Sequence, residues 1–198
     1  MPSGGLDAPV ATYWPEFGAH GKDRITVAHV MGHTAGLPGW DPPITPDEIL
    51  DWDRVTTALA AQAPWWEPGT ASGYHAVTQG FLEGEVVRRV TGRTIGTFFR
   101  DEVAEPLGAD FHIGLPESED HRTGRMVPPE EAMDAAAVDP TSVAARALLS
   151  CPLSGAEPNT RAWRAAEIPA AGGTGNARSV ARVHAALANG GSVDGDKL

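Results

Sequence analysis

Several residue groupings in this sequence are of types that do chemistry. His29 and His33 stand four apart, a spacing that puts two imidazoles on one helical face and suits paired metal ligands. A metalloprotease helix would carry Glu directly after the first His; Val30 stands there, and Gly32 weakens the helix. The competing and preferred reading is that both rings satisfy backbone groups near a turn at Gly36. Gly172-Gly173-Thr174-Gly175 ahead of a helix has the look of a phosphate cradle, but it lacks the Gly-Lys-Ser/Thr ending, so a tight turn presenting backbone near a cleft is expected instead. The composition leaves a Ser-His-Asp triad open, yet no Gly-x-Ser-x-Gly is present, and Ser72 beside Gly73 is the nearest approach. Trp65 and Trp66 are suited either to lining an acyl pocket or to packing beside the Pro68-Gly69 turn. Cys151, before Pro152, is expected to be structural.

The elements that position these residues are mostly helical. Residues 6–17, with Pro9 and Pro15, read as loop with one short turn. Thr26 caps a helix expected to run through Val27, Val30, Met31 and His33, stopped by Gly36 and Pro38. Pro46 opens a first turn, and Ile49, Leu50, Val55 and Leu59 form a face broken near Asp51 and ended by Pro64. Residues 65–70 form a turn. From Tyr74 the residues Val77, Phe81, Val86 and Val90 keep helical spacing, with Gly92 as the left-handed cap. Thr94 opens a helix through Phe98, Phe99 and Val103 that ends at Pro106 and Gly108. Short strands are expected at 111–113 and 122–127, and helices at 142–149, 159–166 and 176–189.

The chain has 198 residues, 41% hydrophobic and 21% charged, enough for a packed core. Acids outnumber bases 26 to 15, a formal charge of −11. Such a chain repels phosphate backbones and anionic lipid surfaces, so neither nucleic acid nor a membrane is an expected partner. One cysteine excludes an internal disulfide and a cysteine-rich zinc site. The first seven residues carry no basic or apolar stretch, so no secretory leader is expected and a cytoplasmic location is the default.

Four stretches occur together: Ile25–Pro38, which includes His33-Thr34-Ala35-Gly36-Leu37-Pro38; Trp66-Glu67-Pro68-Gly69-Thr70 followed by Gly73-Tyr74-His75-Ala76; Glu105–Gly108; and Ile168–Gly173. In this order they resemble the serine β-lactamase-related family: class C β-lactamases, D-alanyl-D-alanine carboxypeptidases and similar esterases. The resemblance implies an α/β, β-lactamase/transpeptidase-like fold, of which this chain would be mostly the helical region with a few short strands. It also implies a serine in Ser-x-x-Lys that attacks a carbonyl and forms an acyl-enzyme, a tyrosine and the lysine that exchange its proton, and a bordering Lys-Thr-Gly strand, with no metal and no organic cofactor. The tyrosine maps to Tyr74. Where the lactamases carry Asn two residues later, this chain has Ala76, which fits the ester-hydrolysing branch.

The nucleophile does not map. The two lysines are Lys22 and Lys197, and the positions three before them hold Ala19 and Asp194. Neither lysine opens Lys-Thr-Gly, and His112-Ile113-Gly114, although similar to a His-x-Gly variant of that strand, comes too early in the family order. Residues 1–198 are therefore expected to be an internal part of the domain, lacking the Ser-x-x-Lys segment and the Lys-Thr-Gly strand. The expected function is that of an esterase-like serine hydrolase acting on a small ester or amide, inert as this chain alone; the alternative is a non-catalytic binding module that keeps the family cleft.

Overall fold

Thr26 starts the first helix by a reciprocal cap. Its hydroxyl accepts from the His29 amide at 3.2 Å, and His29 Nδ1 accepts from the Thr26 amide at 3.2 Å. The computed structural model describes residues 4–128, 139 and 141–197. In it helix α1 spans only Val27–Met31. It stops short of His33, which takes a left-handed backbone (φ 57°), so the helical face expected to carry both histidines does not form.

The opening segment is more ordered than expected. Three 3₁₀ turns, Gly5–Asp7, Val10–Thr12 and Pro15–Gly21, follow one another. Pro9 and Pro15 pre-set φ at two of their starts, and Val10, Trp14 and Phe17 return to one buried face. Lys22 follows, fully buried, with Nζ donating to the carbonyls of Ala19 (2.9 Å), Ala60 (3.0 Å) and Gln62. Burial draws its pKa down to about 8.

After a 3₁₀ turn at Glu48–Leu50 the chain breaks at Asp51, as the spacing predicts. Asp51 then caps α2 (Trp52–Ala61) by accepting from the Arg54 amide at 3.0 Å. Helix α3 (Thr78–Thr91) ends at Gly92 in the left-handed cap (φ 72°). It starts four residues after Tyr74, and its buried face is rotated from the predicted stripe: Gly80, Phe81, Leu82, Gly84 and Glu85 are buried while Val90 is exposed. Glu85 goes inside because it is fully partnered, accepting from Trp52 Nε1 (2.8 Å), Arg88 Nε (2.7 Å) and Arg89 Nε (2.7 Å).

Helix α4 (Ile95–Phe99), capped by Thr94, runs on into a π turn over Arg100–Ala104. Strand β1 (Phe111–His112) pairs antiparallel with β2 (Thr174–Gly175), Phe111 opposite Gly175. Of the glycine-rich segment, Thr174–Gly175 is thus a short strand, with the Phe111 ring seated against Gly173 and Gly175, and Gly172 to Gly175 line a cavity of about 330 Å³. The strand expected at 122–127 is absent. Residues 117–122 form a 3₁₀ turn, and Asn159 takes both backbone groups of Met126: Met126 N donates to Oδ1 at 2.8 Å and Nδ2 donates to Met126 O at 2.9 Å. Helices α5 (Val143–Leu149), α6 (Arg161–Ala165) and α7 (Ala177–Ala188) each carry a side-chain cap, from Ser142, Thr160 and Asn176. A hairpin of β3 (Ser192–Val193) and β4 (Asp196–Lys197) follows, which periodicity does not reveal.

Helix α3 packs on α1, α2 and α4. The main core gathers Trp14, Phe17, Leu37, Trp40, Leu59, Phe81 and Ile168. Trp40 and Trp52 both contact the Phe81 ring, with centroids 6.0 and 5.2 Å away. Burying a ring such as Phe81 contributes about 2–3 kcal/mol. A smaller cluster of Ala104, Leu107, Ala109 and Ala186 ties the π turn to α7. Among the described residues no helix is long and apolar enough to cross a membrane.

Candidate functional site

The His33–Pro38 loop and the segment 65–78 are hydrogen-bonded along their length. Trp65 N donates to Gly36 O (2.7 Å), Gly69 N to Thr34 O (3.0 Å), Gly73 N to His33 O (3.1 Å), and Thr78 Oγ1 to Leu37 O (2.7 Å). Gly36 permits this (φ 78°), since a Cβ there would lie 2.8 Å from Trp66 O and 2.9 Å from Pro64 Cβ. Two of the four stretches that resemble one family in sequence are therefore a single structural unit, and Tyr74 stands within it.

Tyr74 lies outside regular secondary structure ahead of α3 and is 73% exposed. Its hydroxyl makes no hydrogen bond among the described residues. The His33 ring lies 5.1 Å from the Tyr74 ring, centroid to centroid, tilted by 58°. Its neighbour His75 points the other way and is fully buried. His75 Nδ1 donates to Gly73 O at 2.6 Å, which fixes the tautomer, and Nε2 accepts from Leu37 N at 3.0 Å. Burial pushes His75 down to about 4, opposed by the Gly73 carbonyl and reinforced by His33, so the ring is neutral at pH 7. The His75 amide in turn donates to His33 Nδ1 at 3.0 Å.

Beside Tyr74 opens a cleft of about 720 Å³, walled by Pro38, Trp40, Trp65, Trp66, Ala76 and Val77 on one side and by Val143, Ala147, Leu148, Cys151 and Leu153 on the other. Among the described residues it is lined by no Lys, Arg, Asp or Glu. Trp65 and Trp66 line the cleft and also pack, Trp66 against Gly73 and 5.9 Å from the His75 ring, Trp65 against Gly39. Cys151 is buried, and burial pushes its thiol up to about 11, which suits a structural role. Ser72 lines the cleft without a lysine beside it, and Ser150 is buried with Oγ donating to Ala147 O at 2.7 Å. His29 and His33 each use Nδ1 to accept from a backbone amide, the role expected near this turn.

Comparison with known proteins agrees with this geometry. A family model described as Beta-lactamase matches residues 3–198. The chain belongs to the β-lactamase family. The family member named esterase/beta-lactamase LipL, from Mycobacterium tuberculosis, is 37% identical over 210 residues, covering 96% of this chain and 46% of that protein. A solved family VIII carboxylesterase superposes with a TM-score of 0.87 at 47% identity, over 97% of this chain and 51% of its own. A penicillin-binding protein homologue from Caulobacter crescentus gives 0.85 at 43%, over 98% and 51%. The expected β-lactamase-like fold is thus the one adopted, and the chain spans about half the length of the family relatives it matches.

The sequence motif singles out Tyr74, with His75 beside it, but not the contacts that His33 and His75 make on either side of it. The nearest signal was that His33 and His75 each stand inside one of the recurring motifs.

Proposed function

We propose that this chain is the central, largely helical part of an esterase-like serine hydrolase that cleaves small esters or amides through an acyl-serine, with Tyr74 as the proton-transfer group. The observation that carries the reading is Tyr74 itself, a phenol 73% exposed at the mouth of an apolar cleft, in a fold that buries Trp14, Trp40, Phe17 and Phe81. A phenol near pKa 10 exchanges protons at neutral pH only beside a cation that stabilises its phenolate. No described cation lines this cleft, and Lys22 is committed to three backbone carbonyls. The serine and its lysine, in this reading, belong to a part of the protein outside residues 1–198, in keeping with the half-length match to the relatives. The reaction uses no metal and no organic cofactor. The uncharged walls, with Ala76 where an amide would otherwise face the substrate, favour neutral apolar acyl groups and esters over β-lactams.

The same lack of a lysine suits a second reading, a binding module that keeps the cleft without chemistry. One experiment separates the two. The chain is assayed with a chromogenic short-chain ester and a chromogenic cephalosporin, alone and with the segments bearing Ser-x-x-Lys and the Lys-Thr-Gly strand restored. The expected result is no turnover alone, and ester hydrolysis after restoration that Tyr74→Phe abolishes. Stoichiometric labelling of a serine in the isolated chain by an acylating probe would overturn the assignment of the nucleophile. Silence after restoration would favour the binding module.

A further inference from the structure

We infer that His33 and His75 are positioning residues that fix Tyr74 by clamping the backbone on either side of it; this rests on the reading of Tyr74 as the proton-transfer group. Tyr74 has no hydroxyl partner among the described residues and little burial, so its own side chain does not set its place. Its neighbours do. Gly73 N donates to His33 O, Gly73 O accepts from His75 Nδ1, and the His75 amide donates to His33 Nδ1. The fourth link, Leu37 N to His75 Nε2, ties the clamp to the core. A displacement of about 1 Å at a proton-transfer group costs on the order of 100-fold in rate, so a clamp on backbone that side-chain packing leaves free is the device the site requires.

The geometry specifies the variants. His33→Phe keeps a ring against Tyr74 but removes the acceptor for the His75 amide. His33→Asn loses the ring but places Oδ1 where Nδ1 stood, and Asn tolerates the left-handed backbone at this position. Amide hydrogen exchange at His75, read by NMR on the chain, tests the clamp without reference to activity. His33→Phe is expected to lose protection there by about tenfold or more, and His33→Asn to retain it. In the restored enzyme the same pair is expected to split kcat, with a fall of about 10- to 100-fold for Phe, recovery for Asn and little change in KM. Full protection of the His75 amide in His33→Phe, or equal loss in both variants, overturns the inference. Absence of ester turnover in the restored wild type strikes the proposed function instead and leaves the exchange result standing.

Discussion

The amide of His75 donates to Nδ1 of His33 across 42 positions of sequence at 3.0 Å. The two bonds made by the His75 ring itself give that imidazole no route to a second proton without breaking one of them. His75 Nε2 already accepts from Leu37 N, so protonating it places two hydrogens face to face.

That conflict predicts acid sensitivity. His75 ordinarily titrates at 6.5 and is lowered to about 4 in the fold. A lowered histidine contributes stability that is complete above the unfolded value and is lost as pH falls through 6.5 towards 4. Between pH 7 and pH 5 the expected loss is about 2 kcal/mol. The window stops at 5 because the carboxylates held low by their partners, such as Asp110 beside Arg122 and Glu85 between Arg88 and Arg89, add their own losses further down. Urea unfolding at the two pH values measures it. His75→Gln should begin less stable and show a flat response over the same window; an equally steep wild-type and variant response would refute the assignment.

Lys22→Met tests the buried ammonium. The ammonium fills all three donor positions with carbonyls, two of them, Ala60 and Gln62, at the negative end of α2. Met matches the length of the stem but leaves those carbonyls buried without a donor. Relief of burying a charge offsets part of that penalty, and the net expectation is a loss of about 2–4 kcal/mol by chemical denaturation. A variant as stable as wild type would mean that water replaces the ammonium.

The parts of the fold legible in the sequence are those set within one turn of chain. Thr26, Thr94 and Ser142 mark helix starts because a cap is a bond to the amide three residues on. Gly92 marks an end because few other residues take φ near 72° cheaply. What was hidden depends on partners far along the chain. The burial of Glu85 depends on Trp52, which arrives from 33 positions away. Residues 122–127 read as a strand, but Asn159 occupies the backbone of Met126. Tyr74 stands out through its motif, whereas the bond between the His75 amide and the His33 ring does not, since no spacing rule joins His33 to His75.

Gly73→Ala probes how tightly Tyr74 is held. A Cβ at residue 73 would sit 2.7 Å from Trp66 Cη2 and within 3.4 Å of two further ring atoms, so either the indole moves or the backbone beside Tyr74 does. Trp66 is hemmed in on its other side, since its ring lies edge-on to His75 and its backbone closes on Gly36. Overpacking of this kind costs about 1–3 kcal/mol. Trp66→Phe shortens the ring that the added methyl strikes, so the double variant should be less destabilised than the sum of the singles by about 1 kcal/mol or more, measured as a double-mutant cycle. Simple additivity would show that the clash relaxes through the 71–74 backbone instead. In that case Gly73→Ala alone should reduce ester turnover in the restored enzyme while leaving its melting temperature nearly unchanged, because a backbone that yields at little cost shifts the phenol without loosening the core.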